Sequence, residues 1–255
     1  MSFLLDEEKT WIQRDFGLDR RLIKALSKLG YTYPTLVQSR CIPIALQGKD
    51  VLVRARTGSG ALPYSSNILI SYDRRWDQSS NNRMNFILGK TVAFSLPLLH
   101  KLLTSKAADQ DEYSKVHSII LAPTKELCKQ IEKHVTELIY YCRDIISVCG
   151  LTDDNTMIQA HKLNSKPDII ISTPARLVAQ LKNGSVDLSS VKTLVIDEAD
   201  LVLSFGYTED VHTITSKMPK IFQGLLMSAT LSPELDKFKR VLLHNPAVLR
   251  LEVRN

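Results

Sequence analysis

Apolar positions along this chain follow two alternating rhythms. Leu22, Ile23, Leu26 and Leu29 recur at helical spacing and stop at Gly30, a residue suited to the turn that closes a helix. A second helix is expected over Pro34 to Gln47, opened by Pro34, kinked at Pro43 and ended by Gly48. The pattern then changes to short continuous apolar runs: Val51 to Arg54, Val116 to Leu121, Ile145 to Val148, Asp168 to Ser172, Val191 to Ile196, Leu225 to Met227 and Val248 to Leu251. Helical patterns lie between most of them, at Lys90 to Leu103, Glu126 to Tyr140, Ala175 to Lys182 and Pro233 to Leu243. Strands that are apolar on both sides and joined by helices predict a mostly parallel sheet covered on both faces. Right-handed crossovers then give a doubly wound α/β fold in a single domain.

Composition narrows this picture only a little. With 255 residues, 44% hydrophobic and 24% charged, the chain can bury one sizeable core. A net charge of +6 leans weakly toward an anionic partner. The opening MSFLLDEEKT is acidic where a signal peptide is basic, and no apolar run is long enough for a bilayer, so a soluble intracellular protein with no membrane partner is expected. Cys41, Cys128, Cys142 and Cys149 form no CxxC pair and have no histidine at zinc-finger spacing. They read as reduced structural thiols.

In an open parallel sheet, ligands bind beyond the carboxyl ends of the strands. The strands of this chain run into ARTGSG, APTKEL, STPAR, IDEAD and MSAT. Any one of these has an ordinary explanation: Thr124, Thr173 and Ser232 suit helix caps, and Gly58 suits a turn. Five on one edge of one sheet exceed what capping requires. Thr57, Gly58, Ser59 and Gly60, with Lys90 and Thr91 opening the next helix, have the makings of a phosphate-binding loop. Its amides would cradle phosphates, Lys90 would reach the β and γ oxygens, and Thr91 would coordinate magnesium. Asp197 and Glu198 follow an apolar strand, where one carboxylate can hold magnesium and the other can orient and deprotonate an attacking water. We assign Asp197 to the metal and Glu198 to the water. An acidic helix start that complements the macrodipole is the competing reading.

Together these segments resemble the DEAD-box family of RNA helicases, through Asp197-Glu198-Ala199-Asp200, Ser228-Ala229-Thr230 and the interrupted ARTGSG and KT. Residues 30–38 are similar to the family's Q motif, with Phe16 as the upstream aromatic. The resemblance implies a RecA-like fold, use of ATP and magnesium, and RNA as partner. It implies that Gln38 reads adenine, with an amide that donates and accepts at once, and that Phe16 stacks on the ring. Without the family, Phe16 reads as a core residue and Gln38 as a solvated helix position. Pro123, Thr124 and Lys125 are similar to the PTREL motif, and Thr173, Pro174 and Arg176 to the TPGR motif, with Ala175 in place of glycine. These loops, with Gly150, are implied to grip an RNA backbone without reading sequence. Lys125 stands where the family has arginine, which keeps the charge and loses the planar fork. Asp200, Ser228 and Thr230 are implied to couple hydrolysis to the RNA face. The stretch from Ala199 to Tyr207 is closer to the nucleolar branch acting in large-ribosomal-subunit assembly, which implies nuclear and nucleolar localisation and pre-ribosomal protein partners.

Two departures stand out. Residues 61–89, a 29-residue segment, separate Gly60 from Lys90, and removing them joins the motif without loss. A retained intron or an erroneous gene model leaves such a pattern. The segment reads as neither helix nor strand and carries a formal charge of +1. Looping it out adds only ~3 kcal/mol of closure entropy, so the fold is expected to survive while ATP binding weakens severely. The second departure is length. A partner RecA-like domain is implied by the family, and no HRxGR-type motif occurs in this chain. The expected organisation is an N-terminal segment over 1–15, a Q-motif region over 16–48 and a RecA-like ATP-binding domain over 49–255, interrupted at 61–89.

Overall fold

The computed structural model describes residues 10–14, 16–55, 81–109, 115–230 and 232–251. In chain order the elements are α1 (Trp11–Arg14), α2 (Arg20–Lys28), α3 (Leu36–Leu46), β1 (Val51–Ala55), α4 (Asn81–Ala108), β2 (Ser118–Leu121), α5 (Lys125–Leu138), β3 (Val148–Gly150) and α6 (Thr156–Leu163). There follow β4 (Ile169–Ser172), α7 (Pro174–Lys182), β5 (Thr193–Ile196), α8 (Ala199–Ser204), α9 (Thr208–Thr215), β6 (Gln223–Ser228), α10 (Pro233–Leu242) and β7 (Ala247–Leu251). The seven strands form one sheet in the order β3-β4-β2-β5-β6-β1-β7, every neighbouring pair parallel. This is the doubly wound α/β sheet that the apolar runs predict.

Successive residues of a strand face opposite sides, so a strand buried on both must be apolar throughout. In β4, Ile169 and Ile171 enter a core shared with α2 to α5, while Ile170 enters the other, shared with α7 to α10. Val51 and Val53 of β1 likewise part from Leu52. All four cysteines are buried, and burial pushes the Cys41 and Cys128 thiols up to about 12 and those of Cys142 and Cys149 to about 11. Such thiols are poor nucleophiles. Among the described residues no helix is long and apolar enough to cross a membrane.

Several elements differ from the sequence pattern, each for a local reason. Helix α3 starts after Thr35 rather than at Pro34: the Thr35 hydroxyl accepts from the Gln38 amide and Gln38 Oε1 accepts from the Thr35 N–H, a reciprocal capping box. Pro43 lies inside that helix. The strand expected at Ile145 to Val148 instead begins at Val148, because the amides of Ile145 and Ile146 turn back to the Cys142 carbonyl. Helix α6 does not follow from the pattern because its apolar residues do not track burial, Met157 being 79% exposed and Ile158 half-exposed, and α9 has only two apolar residues, Val211 and Ile214, to mark its buried side. Helix α4 begins nine residues before Lys90, so residues 81–89 of the segment that reads as irregular are helical.

Two carboxylates fasten the amino-terminal edge of the sheet. Asp50 accepts from the Gly224 and His244 amides at 2.8 and 2.7 Å, tying β1 to β6 and to the turn before β7. Asp168 accepts from the Ser147 amide and hydroxyl at 2.8 and 3.0 Å and pairs with buried Lys106 at 2.6 Å. Burial alone would raise the Asp168 pKa, but hydrogen bonds from His117, Lys106 and Ser147 hold it below the usual carboxylate value. Removing one partner of a buried pair strands the other, so Asp168→Ala is expected to cost about 3–5 kcal/mol, read as a lower urea midpoint. A carboxylate with a lowered native pKa stabilises above its unfolded value near ~4. That contribution disappears as the pH falls through the native value, so the deficit of Asp168→Ala relative to the wild type should shrink under acid.

Candidate nucleotide and RNA site

Because all strands are parallel, their carboxyl ends share one edge, and the polar segments that follow β2, β4, β5 and β6 come together there. Asp197 leaves β5 with its backbone still hydrogen-bonded to Leu121 of β2, and its side chain is buried. Glu198 then takes a left-handed conformation, φ 50° and ψ 50°, turning the chain sharply into α8. Non-glycine residues adopt that region at some cost, and such turns cluster at functional sites. The turn brings Glu198 Oε1 within 3.1 Å of the Lys90 ammonium, which is 2% exposed. Asp197 Oδ1 accepts from the Glu198 amide at 3.0 Å. Burial pushes the Asp197 carboxyl up to about 6; the Lys90 charge opposes the rise and Glu198 adds to it.

Lys90 and Thr91 are fully inside α4, and Thr91 is also buried. Only the first four N–H groups of a helix are free, so the amides of Lys90 and Thr91 belong to the internal ladder of α4. At 1.5 Å per residue, Asn81 in the first turn of this helix is about 14 Å from Lys90. Thr57, Gly58, Ser59 and Gly60 lie outside the described residues. Gln38 is buried, held on one side by the capping box and on the other by donation from Nε2 to the Gly89 carbonyl at 3.2 Å. Phe16 is half-buried against the core, its ring centroid 5.5 Å from that of Trp11.

Across the same edge, the Thr230 hydroxyl donates to Asp200 Oδ2 at 3.0 Å, and the Ser228 hydroxyl donates to the Thr230 carbonyl at 2.8 Å. Asp200, Ser228 and Thr230 thus form one connected group. Beyond β2, Thr124 caps α5 by accepting from Leu127, placing Pro123 just outside the helix and Lys125 at its first position. Beyond β4, Thr173 precedes α7, with Pro174 and Arg176 in the first turn. Lys125 and Arg176 converge on Asp154 Oδ1, at 2.6 and 2.9 Å, and Arg176 also donates to the Asp153 carbonyl. Gly150 is occupied differently. Its amide donates to Glu132 Oε1 at 2.8 Å, and a Cβ there would stand 2.1 Å from Glu132 Oε2.

A family model described as DEAD/DEAH box helicase matches residues 88–238. The chain belongs to the DEAD-box helicase family. It is 42% identical over 253 residues to a probable ATP-dependent RNA helicase, ddx56, of Dictyostelium discoideum, covering 98% of this chain and 32% of that protein. It is 42% identical over 237 residues to the ATP-dependent RNA helicase dbp9 of Aspergillus niger, covering 92% and 34%. The chain therefore spans about a third of the length of these curated relatives. Among solved structures, a DEAD box protein from the hyperthermophile Methanococcus jannaschii superposes with a TM-score of 0.73 at 23% identity, covering 98% of this chain and 56% of that one. At that identity the likeness speaks for the fold alone.

For a DEAD-box domain, then, the residues expected from sequence separate into three groups. Lys90, Asp197 and Glu198 adjoin one another, as do Asp200, Ser228 and Thr230, and Lys125 and Arg176. Phe16, Gln38 and Gly150 have intramolecular partners, and Thr57 to Gly60 lie outside the described residues. Sequence reading missed Asp153, Asp154 and Glu132. The signal for Asp153 and Asp154 is an acidic pair before Asn155, which caps α6, and Glu132 within α5 has none.

The Asp197 carboxyl tests the electrostatics directly. Replacing Lys90 with methionine removes the cation that opposes its rise, so in Lys90→Met the Asp197 half-titration should move above about 6. Carboxyl-carbon NMR titration of the two proteins reads this shift. An unchanged or lower value would mean that the Lys90 charge does not act on Asp197.

Proposed function

We propose that this chain is the ATP-binding half of an ATP-dependent RNA helicase, with its nucleotide site weakened at the phosphate end by residues 61–89. In this reading Asp197 and Thr91 would hold magnesium, which when bound supplies charge neutralisation between the phosphates. Both offer the oxygen donors a hard cation takes, and a nearby dication would favour the ionised form of a carboxyl that burial has pushed up to about 6. Lys90 is to bind the β and γ phosphates, exchanging Glu198 for a phosphate oxygen. Glu198, freed from Lys90, is then positioned to orient the attacking water and take its proton. The adenine is to meet Gln38 and Phe16. Pro123, Thr124, Lys125, Gly150, Thr173, Pro174 and Arg176 are to hold one RNA strand, and Asp200, Ser228 and Thr230 to link the two ligands. Unwinding calls for a second RecA-like domain. The same family resemblance leads us to expect nucleolar work among pre-ribosomal proteins.

One observation carries the weakening. Helix α4 runs from Asn81 through Lys90 to Ala108, so Lys90 and Thr91 do not stand at a helix amino end. Phosphate loops draw on free amides and the positive end of the dipole, and here both are about 14 Å away. The same observation favours a second reading, a catalytically silent module that binds RNA or a protein partner, because the Lys125 and Arg176 face does not involve α4. Deleting residues 61–89 separates the two. The deletion should tighten binding of a fluorescent ATP analogue by at least about tenfold, the equivalent of roughly 1.4 kcal/mol, and should bring RNA-stimulated phosphate release above background. Equal affinity with and without the segment would overturn the proposed weakening.

A further inference from the structure

The Lys125 and Arg176 pair has a feature that its expected role does not explain. Both cations stand in the first turn of a helix, Lys125 in α5 and Arg176 in α7, where the positive end of the macrodipole disfavours them. Cations kept in such a place call for an anion, and the chain supplies one of its own. Asp154 places a single oxygen, Oδ1, within hydrogen-bond reach of both. Its side chain is otherwise 81% exposed, so burial does not hold it there. The loop that carries it is fixed from several directions. The Asp153 carboxylate pairs with Lys162 at 2.8 Å, its carbonyl accepts from Gln159 and Arg176, and the Asn155 side chain caps α6 by accepting from Met157. Gln159 is in turn held by Gln180 of α7 at 3.1 Å. The loop is therefore tied to the helix that carries Arg176.

We propose that Asp154 is an intramolecular stand-in for a nucleic-acid phosphate, a latch that occupies the two-cation clamp until an RNA backbone displaces it. The inference rests on the reading of Lys125 and Arg176 as RNA-binding. A phosphate oxygen takes the position of Asp154 Oδ1, and the carboxylate swings into solvent, where its charge is readily hydrated. The clamp thus never stands as two unpaired cations beside two helix amino ends. The latch weakens binding in exchange, and it selects for ligands that offer more than one phosphate contact, because a lone anion gains little over the tethered carboxylate. It also lowers salt sensitivity. In the free protein the clamp is neutralised by Asp154 rather than by solution ions, so binding changes fewer ion contacts than two bare cations would.

The test uses the full chain and a short fluorescein-labelled oligouridylate, followed by fluorescence anisotropy across a salt series. Asp154→Asn should bind about three- to tenfold more tightly at low salt. Its dependence of log affinity on log salt should be steeper by about one. Asp154→Glu should restore values near wild type, and Asp154→Ser should repeat the asparagine result. In Arg176→Ala and Lys125→Ala, binding should weaken, and adding Asp154→Asn to Arg176→Ala should recover less than the single substitution gains. If Arg176→Ala and Lys125→Ala weaken binding while Asp154→Asn matches wild type in affinity and slope, the latch is overturned and the RNA-binding reading stands. If the two cation variants bind as wild type does, both fall.

Discussion

The carboxyl edge of this fold depends on one constraint: a sheet of parallel strands buried on both faces must return each crossover to the same edge. The chain does this through helices that are themselves needed to cover the sheet. Backbone groups are paired between neighbouring strands, and the polar groups that follow the strands are collected on one side. Asp197, Ser228, Thr173 and Thr124 are neighbours for that reason, although up to about a hundred residues of chain separate them. The opposite edge carries the fastening. Asp50 and Asp168 spend their carboxylates on amides and a buried lysine there. The division is physical: the fastening at one edge ties buried carboxylates to backbone amides and a buried lysine, while the other pairs side chain with side chain, Lys90 with Glu198 and Lys125 and Arg176 with the exposed Asp154.

Much of this was legible in the residues, because burial on both faces leaves a mark that survives without coordinates. Ile169-Ile170-Ile171 can only be a strand with a core on each side, and Thr193 to Ile196 repeats the point. The motifs at the strand ends were visible for the same reason: a break from apolar to small and charged residues fixes where a strand stops. What was not legible involved partners distant in sequence. Nothing local says that Glu132 covers Gly150, that Asp168 takes the Lys106 ammonium, or that Asp154 sits between Lys125 and Arg176. Each is a contact between segments 18 to 62 positions apart in sequence. The Asp153-Asp154 pair precedes Asn155, which caps α6, and nothing in that local pattern points to a contact with α5 or α7.

The α4 boundary was missed for a different reason. A start at Lys90 is natural when glycine precedes a lysine that opens an apolar stripe. Gly89 did not stop the helix, because a single glycine costs an interior only about 1 kcal/mol and the turns that follow pack Phe94, Leu96 and Leu99 completely. Once those turns are paid for by burial, extending backward adds a hydrogen bond per residue with little further loss. A long insertion placed just before a well-packed helix thus tends to be drawn into it.

The Gln38 side chain gives that extension a further meaning. A carboxamide has two donor hydrogens and two lone pairs, and the capping box and Gly89 engage one of each kind. Among the described residues one donor and one lone pair remain, with the rotamer already set by the helix start, so a further hydrogen-bonding group would be met without the ordering cost a free glutamine would bear. The carbonyl that helps to set it precedes Lys90, and in a chain without residues 61–89 the residue before Lys90 would again be a glycine, Gly60. A glycine before Lys90 therefore still meets Gln38 in this chain, while Lys90 itself lies inside a helix. The contact at Gln38 and the placement of Lys90 are thus separable properties of the same helix.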